Sequence, residues 1–179
     1  MLSRSSLVRR RARGIRLLVL DVDGVLTDGE LLYGPAGEAL KRFHIHDGLA
    51  MIAWKKCRRS LAVLSGRRSK AVARRMAELG IEPVYQGVTR KLLKYKLILH
   101  QFRCRNRDVA VMGDDLTDLP LLLRAGLAIA PSNAVPEVRA QAHLVTRRAG
   151  GRGAVREAIE TILRAQGRWS RRVQEYRDG

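Results

Sequence analysis

The chain has 179 residues, of which 46% are hydrophobic, and its 35 lysines and arginines against 17 aspartates and glutamates give a formal net charge of +18. This hydrophobic fraction excludes a chain that is disordered throughout, and the length predicts one globular domain. The two cysteines form no Cys-x-x-Cys pair, which excludes a disulfide framework and a zinc site. Such cysteines are typical of a cytosolic protein. No apolar run is long enough for a membrane span.

The positive charge first indicates a polyanion such as nucleic acid as a partner. However, the arginines concentrate in the first 16 positions and again after position 163. With 4% aromatic residues and no zinc-finger or RNA-binding motif, the chain has few side chains on which bases could stack. We therefore favour a solvated basic surface over a nucleic-acid function.

The first segment, residues 1–14, is rich in serine and arginine and has no acidic residue. This composition is similar to that of a transit peptide, but we favour a disordered basic lead-in to the first strand. The segment lacks the continuous apolar stretch of a secretory signal. We expect three parts: a disordered basic extension over 1–14, a folded domain over 15–166 and a basic C-terminal tail over 167–179.

Short apolar runs alternate with helical patterns through the folded domain. The runs end where small or acidic residues begin, as buried parallel strands do, and they cover 15–20, 60–64, 108–112 and 127–130. The helical patterns cover 69–79, 90–102, 118–124, 135–141 and 154–166. This alternation predicts an α/β fold with a Rossmann-like, mainly parallel sheet and helices on both faces. Residues 29–43 predict a small inserted β-hairpin, too short for a separate cap domain.

Two acidic clusters stand at the ends of predicted strands. Asp21 and Asp23 follow the first strand, and Asp114, Asp115 and Asp118 follow the third. Because the carboxyl ends of parallel strands share one edge of the sheet, the two clusters should converge in one crevice. A lone Asp-x-Asp is usually an Asx turn or a helix cap, but two clusters at equivalent positions favour a site for Mg²⁺ and a phosphate oxygen.

Four motifs occur in a fixed order: Asp-x-Asp-Gly-Val-Leu-Thr-Asp at 21–28, Ser-Gly-Arg at 65–67, an isolated Lys91, and Gly-Asp-Asp-x-x-Asp at 113–118. Together they resemble the motifs of haloacid-dehalogenase-type phosphatases. Three further segments, at 43–48, 85–87 and 147–157, resemble more narrowly the small, capless 3-deoxy-D-manno-octulosonate 8-phosphate phosphatases. The resemblance runs from about residue 15 to residue 167, so only the basic ends fall outside it.

The resemblance implies an Mg²⁺-dependent phosphomonoesterase that hydrolyses 3-deoxy-D-manno-octulosonate 8-phosphate through an aspartyl-phosphate. Asp21 would be the nucleophile and Asp23 the general acid and base. Asp21, the backbone carbonyl of Asp23, and Asp114 would hold the metal. Ser65 and Lys91 would bind the transferring phosphoryl group, although a lysine at position 91 taken alone would be a surface residue.

Supporting and substrate-binding roles are also implied by the resemblance. Asp115 and Asp118 would support the metal waters and the loop, and Asp118 could alternatively cap the next helix. The implied substrate contacts are Asp23, His44, Ile45, His46, Asp47, Gly48, Arg67, Arg75 and Lys91. Arginine suits a sugar acid because its guanidinium binds a carboxylate through two hydrogen bonds. Arg75 could instead be an exposed helical charge. The alternation of His44 and His46 around Ile45 predicts a strand that places both rings on one face, with an ordinary surface hairpin as the alternative.

Three positions depart from the family pattern, namely His46, Ala50 and Ile52. These departures leave open a related nonulosonate 9-phosphate, or a broader range of sugar phosphates, as substrate. The resemblance further implies a cytoplasmic homotetramer, assembled through the inserted hairpins, that acts in lipopolysaccharide precursor synthesis. A hypothesis from another class is a phosphatase-like fold that binds polyanions through its basic ends without turnover.

Overall fold

A single parallel sheet organises the structure, a computed structural model that describes residues 3–35 and 37–178. The strands are β1 (Leu17–Leu20), β2 (Leu32–Gly34), β3 (Gly37–Leu40), β4 (Ser60–Leu64), β5 (Val84–Tyr85), β6 (Val109–Met112), β7 (Leu127–Ala130) and β8 (Leu144–Val145). Six of them form the sheet in the order β5-β4-β1-β6-β7-β8, and every neighbouring pair is parallel. The predicted α/β fold with a parallel sheet is therefore confirmed.

Helices cover both faces of this sheet. They are α1 (Arg4–Arg13), α2 (Ile45–Lys56), α3 (Lys70–Glu78), α4 (Lys91–Gln101), α5 (Leu119–Leu122), α6 (Pro136–Gln141), α7 (Ala154–Ala165) and α8 (Trp169–Arg177). Successive residues of β1 point to opposite faces: Leu18 and Leu20 pack in the core beneath α2 and α7, whereas Leu17 and Val19 pack in the core beneath α4 and α5. This double burial explains why the central strands are continuous apolar runs.

The inserted hairpin consists of β2 and β3, which pair in antiparallel fashion within the predicted range 29–43. It exposes apolar side chains, with Leu32 at 43%, Tyr33 at 64% and Leu40 at 65% exposure. Ala36 lies outside the described residues. Among the described residues, no helix is long and apolar enough to cross a membrane.

Helix α2 differs from the strand that the alternation of His44, Ile45 and His46 predicts. His44 is the N-cap of α2, and its Nδ1 accepts a hydrogen bond from the backbone N–H of His46 at 3.2 Å. The prediction was wrong because the alternation spans only three residues. The helical spacing of the buried Met51 and Trp54, which follow, decides the local structure.

Both basic ends form helices in the structure, which differs from the disordered extension expected over 1–14. In α1 the Ser3 side chain accepts a hydrogen bond from the Ser6 N–H, and Val8 and Ala12, four residues apart, enter the core that also holds α7. In the tail over 167–179, Trp169 enters the same core and Val173 packs against it. Residues 1–2 and 179 lie outside the described residues.

Candidate active site

Three neighbouring strands deliver the predicted site residues to one edge of the sheet. Asp21 follows β1, Ser65 follows β4, and Asp114 comes shortly after β6, so the side chains meet beyond the carboxyl ends of these strands. A cleft of about 900 Å³ opens there. Its lining includes Asp21, Asp23, Ser65, Arg67, Lys91, Asp114 and Asp115.

Lys91, the first residue of α4, joins two of the acidic motifs. Its ammonium donates hydrogen bonds to Oδ1 of Asp21 and to Oδ1 of Asp118, each at 2.7 Å, and all three side chains are buried. Burial acts to lower the pKa of Lys91, but the charges of the two aspartates and their hydrogen bonds raise it above its ordinary value. The lysine is therefore a fixed cation within an acidic site.

Two of the carboxylates, those of Asp21 and Asp114, have raised pKa values, and burial is the main cause. Burial, followed by the charge of Asp118, raises the pKa of Asp21 to about 7, even though Lys91 acts in the opposite direction. Burial also raises the pKa of Asp114 to about 7, assisted by the charges of Asp21, Asp118 and Asp115. Oxygen atoms from Asp21, Asp114 and Asp118 lie within 4.8 Å of one another. A hard cation fits this donor set, because it would offset the mutual repulsion of the carboxylates.

Both carboxylate oxygens of Asp118 accept hydrogen bonds from other groups of this chain. Besides accepting from Lys91, it accepts a hydrogen bond from the backbone N–H of Asp114 through Oδ2, at 3.2 Å. Its side chain makes no capping hydrogen bond to α5, so the alternative role as a helix cap is not found. Asp115 is exposed, and its Oδ1 accepts from the N–H of Leu116 at 2.7 Å. Asp118 thus positions both Lys91 and Asp114.

Glycines provide the space in which the carboxylates lie. Gly24, in the Asp-x-Asp-Gly motif, has a φ of +80°, and a Cβ at this position would overlap the carboxylate of Asp114. A Cβ at Gly113 would likewise overlap the side chain of Asp118. The first acidic motif and the second therefore fit together only when these two positions lack a side chain.

Asp23 is flanked by two cations. Lys41, whose side chain is only 1% exposed, contacts Oδ1 of Asp23, and Nε of Arg67 lies 4.0 Å from Oδ2. Arg67 also donates a hydrogen bond to the hydroxyl of Tyr33 in the hairpin, at 2.9 Å. Sequence reasoning missed Lys41 and Tyr33. The available signal was their place in the inserted segment that follows the Asp-x-Asp motif.

Ser65 lies in a loop that the segment after β5 holds in place. Its Oγ accepts a hydrogen bond from the backbone N–H of Arg67 at 3.2 Å, and its carbonyl accepts one from Val88. The side chain of Gln86 accepts a hydrogen bond from the N–H of Ser69, which precedes α3, at 2.7 Å. These bonds explain why a Tyr-Gln-Gly segment accompanies the serine motif.

The segment 43–48 and Arg75 are not in this cleft. Asp47 is buried, and its carboxylate accepts hydrogen bonds from the N–H groups of Gly153 at 3.2 Å and Arg156 at 2.6 Å, which are unpaired donors at the start of α7. Gly48 is buried against the guanidinium of Arg75, which also pairs with Glu78 at 3.3 Å. Within this chain Asp47 and Gly48 are therefore held in packing contacts, whereas Ile45 and His46 are exposed, and the predicted substrate contacts of this segment stay a prediction.

Comparison with known proteins assigns the family. A sequence model of the haloacid dehalogenase-like hydrolases matches residues 58–159. The chain belongs to this family. This chain is 43% identical over 159 residues to the 3-deoxy-D-manno-octulosonate 8-phosphate phosphatase KdsC of Yersinia pestis, and the match covers 89% of this chain and 85% of the relative.

Solved structures of this hydrolase family also match the fold. The crystal structure of the Yersinia pestis phosphatase superimposes with a TM-score of 0.89 at 42% identity, covering 92% of this chain and 89% of that one. The Moraxella catarrhalis 3-deoxy-D-manno-octulosonate 8-phosphate phosphatase, in complex with magnesium ion, phosphate ion and KDO, gives a TM-score of 0.91 at 36% identity, with 94% and 97% coverage. The family resemblance seen in the sequence is confirmed.

Proposed function

We propose that this chain is an Mg²⁺-dependent phosphatase that hydrolyses 3-deoxy-D-manno-octulosonate 8-phosphate to 3-deoxy-D-manno-octulosonate and phosphate. The observation that carries the proposal is the buried Lys91 held between Asp21 and Asp118, with Asp114 beside them at the carboxyl edge of the sheet. Relatives of that activity match this chain at 43% identity over most of its length, which supports the substrate class.

The donor set indicates how the metal would be held. Asp21, Asp114 and the backbone carbonyl of Asp23 would bind Mg²⁺, since carboxylate and carbonyl oxygens are its preferred protein ligands. The raised pKa values of Asp21 and Asp114 support this assignment, because both carboxylates would gain from a nearby cation. When bound, Mg²⁺ would screen the repulsion between the carboxylate nucleophile and the phosphate dianion.

The remaining chemistry falls to the side chains of the chain itself. A carboxylate oxygen of Asp21 attacks the phosphorus in line, the bond to the sugar oxygen breaks, and Asp23 donates a proton to that oxygen. Asp23 then takes a proton from a water molecule that attacks the aspartyl-phosphate, which releases phosphate and restores Asp21. Lys91 fixes the orientation of Asp21, and together with Ser65 it stabilises the charge on the transferring group.

Phosphate release from a panel of substrates tests this proposal. With Mg²⁺ the wild-type protein should release phosphate from 3-deoxy-D-manno-octulosonate 8-phosphate faster than from a nonulosonate 9-phosphate or from glucose 6-phosphate, and EDTA should stop the reaction. Asp21→Asn should abolish turnover. The matched control is Asp108→Asn, which alters an aspartate before β6 that pairs with Arg16 at 3.3 Å, at the opposite edge of the sheet. A fully active Asp21→Asn protein, or turnover in EDTA, would overturn the mechanism.

A preference for the nonulosonate ester would overturn the substrate while keeping the mechanism. That outcome would follow from the three departures at His46, Ala50 and Ile52. A folded protein without turnover on any ester, but with salt-sensitive binding of polyanions, would instead favour the non-catalytic alternative.

We also propose a cytoplasmic homotetramer that acts in lipopolysaccharide precursor synthesis. The exposed Leu32, Tyr33 and Leu40 of the hairpin support assembly, since apolar side chains on one element favour burial between subunits. Sedimentation should give a species four times the chain mass. Leu40→Glu should dissociate it, and Leu97→Glu, at the similarly exposed Leu97 of α4, is the control. A tetramer unaffected by Leu40→Glu would contradict assembly through the hairpin.

A further inference from the structure

A small pocket lined almost entirely by cations lies at the opposite edge of the sheet from the catalytic cleft. Its volume is about 350 Å³, and its lining residues are Lys56, Cys57, Arg58, Arg168, Arg171 and Arg172. Residues 56–58 end α2 and precede β4, so they stand at the amino end of a strand whose carboxyl end carries Ser65. The five residues of β4 separate the two sites by roughly 16 Å.

Packing holds the two halves of this pocket together. Trp169, the first residue of α8, is 6% exposed in the main core, and the guanidinium of Arg156 lies 4.7 Å from the centre of its ring. The guanidinium of Arg168 donates to the carbonyl of Cys57 at 3.5 Å. On the other side, the ammonium of Lys56 lies 5.4 Å from the centre of the Tyr176 ring. The cations are therefore presented by two elements that are fixed against each other.

The positive charge of the pocket is largely uncompensated. Glu175 pairs with both Arg171 and Arg172, so one carboxylate serves two arginines. In the described ranges 3–35 and 37–178, Lys56, Arg58 and Arg168 form no ion pair with a carboxylate. Five like charges in one concavity repel each other, and a bound anion would relieve that repulsion.

Two neighbouring features add to the attraction for an anion. No side chain caps the start of α8, so the N–H groups of its first turn and the positive end of its dipole face the region of Arg168 and Arg171. Arg59, next to the pocket, has a buried Nε without a hydrogen-bond partner. Burial, and then the charges of Arg168 and Arg16, lower its pKa. The surroundings thus hold more positive charge than the protein neutralises.

We propose that this pocket binds the diphosphate group of a small soluble ligand, at a site separate from the catalytic cleft. A diphosphate matches the site because its several negative charges can contact cations on both the α2 side and the α8 side at once. The volume of about 350 Å³ admits a group of this size. The basic C-terminal tail thereby gains a role that the phosphatase motifs do not require.

Calorimetric titration with inorganic pyrophosphate tests the proposal. The titration is done in EDTA, because the carboxylates of the metal-free catalytic site repel anions. The pocket variant is Arg58→Gly with Arg171→Gln: Arg58 has a φ of +56°, which glycine adopts readily, and the Arg171 side chain is 81% exposed, so neither change disturbs packing. The wild type should bind one pyrophosphate per chain, and this variant should bind it about tenfold more weakly or worse.

A matched control separates the pocket from the overall charge of the protein. Arg103→Gly with Arg74→Gln removes the same net charge. Arg103, like Arg58, has a positive φ, at +48°. Arg74, like Arg171, is a helical arginine that is highly exposed, at 86%, and that pairs with a glutamate four residues later. This control should change the affinity by less than about twofold. Circular dichroism spectra should show that both variants are folded. An absence of wild-type binding, or equal effects of the two double substitutions, would overturn the proposal.

Discussion

Replacing Lys91 with methionine is the most direct test of the acidic site. Methionine keeps the length of the side chain but removes the ammonium that lies 2.7 Å from Oδ1 of both Asp21 and Asp118. Removing one partner of a buried ion pair costs about 3–5 kcal/mol, because the remaining charges stay buried without compensation. We expect a loss of unfolding free energy of that order in the absence of metal.

The pH dependence of this loss distinguishes electrostatics from packing. The pKa of Asp21 is raised from 3.8 to about 7, so its contribution to stability is fully present below 3.8 and is lost as the pH rises through about 7. In the wild-type protein this rise in the pKa of Asp21 corresponds to roughly 4 kcal/mol of unfolding free energy. Without Lys91 the pKa of Asp21 should rise further. At about pH 5 Asp21 is protonated in both proteins, so its charge does not contribute to the difference in unfolding free energy between them. The loss of unfolding free energy in Lys91→Met should therefore grow between about pH 5 and about pH 8.5, as Asp21 ionises.

The assay is urea unfolding in EDTA, followed by tryptophan fluorescence, because Trp54 and Trp169 are both buried. The control is Lys96→Met, which alters an exposed lysine on the same helix. With Mg²⁺ present, Lys91→Met should also reduce turnover by about 10²–10³-fold, as the loss of a charged donor to the transferring group does. A loss of unfolding free energy that is equal at both pH values, or that Lys96→Met also shows, would refute the electrostatic explanation.

Three further predictions concern the same architecture. Gly24→Ala should weaken activation by Mg²⁺ at least about tenfold, because a Cβ there overlaps Asp114 and a non-glycine residue is strained at positive φ. The control is Gly37→Ala, which also has a positive φ but whose added Cβ would have no atom within 4 Å, and it should keep wild-type activation in the same titration. Asp47→Ala should lower the unfolding free energy by about 2 kcal/mol, since two N–H groups of α7 lose their acceptor; a raised KM at unchanged stability would instead assign Asp47 to the substrate. In EDTA, the wild-type midpoint of thermal unfolding should fall as the pH rises from about 5 to about 8, and Mg²⁺ should restore it, because the pKa values of Asp21 and Asp114 are raised; a midpoint that rises over this range would contradict those shifts.

The sheet and the convergence of the acidic motifs were predictable because each rests on a local pattern. A buried parallel strand is a short apolar run, and the residues that follow it reach the carboxyl edge whatever the rest of the chain does. Asp21, Ser65 and Asp114 could therefore be placed from their positions after strands. Lys91 could be placed only through the family resemblance, since 70 residues separate it from Asp21 and no local pattern marks a lysine at the start of a helix.

The errors arose where a weak local signal was overruled by tertiary packing. The basic composition of residues 1–14 predicts disorder, yet two apolar residues at a spacing of four, Val8 and Ala12, are enough to bury one face of α1. His44 and His46 alternate like a strand, whereas α2 depends on the buried residues that come after them. The contact between Lys41 and Asp23 could not be read from spacing, because it depends on how the hairpin folds back over the first loop.

The distribution of charge over the two edges of the sheet gives the net charge of +18 a structural meaning. At the carboxyl edge, three aspartates, Asp21, Asp114 and Asp118, lie around one buried lysine, so that edge is acidic until a cation binds. At the amino edge, the end of α2 and the start of α8 place five cations around one pocket. Anions are therefore attracted to the catalytic edge only after a cation has bound there, whereas the amino edge attracts them without one. Anion binding in EDTA should consequently report on the amino edge alone, and the additional anion binding that appears with Mg²⁺ should report on the carboxyl edge.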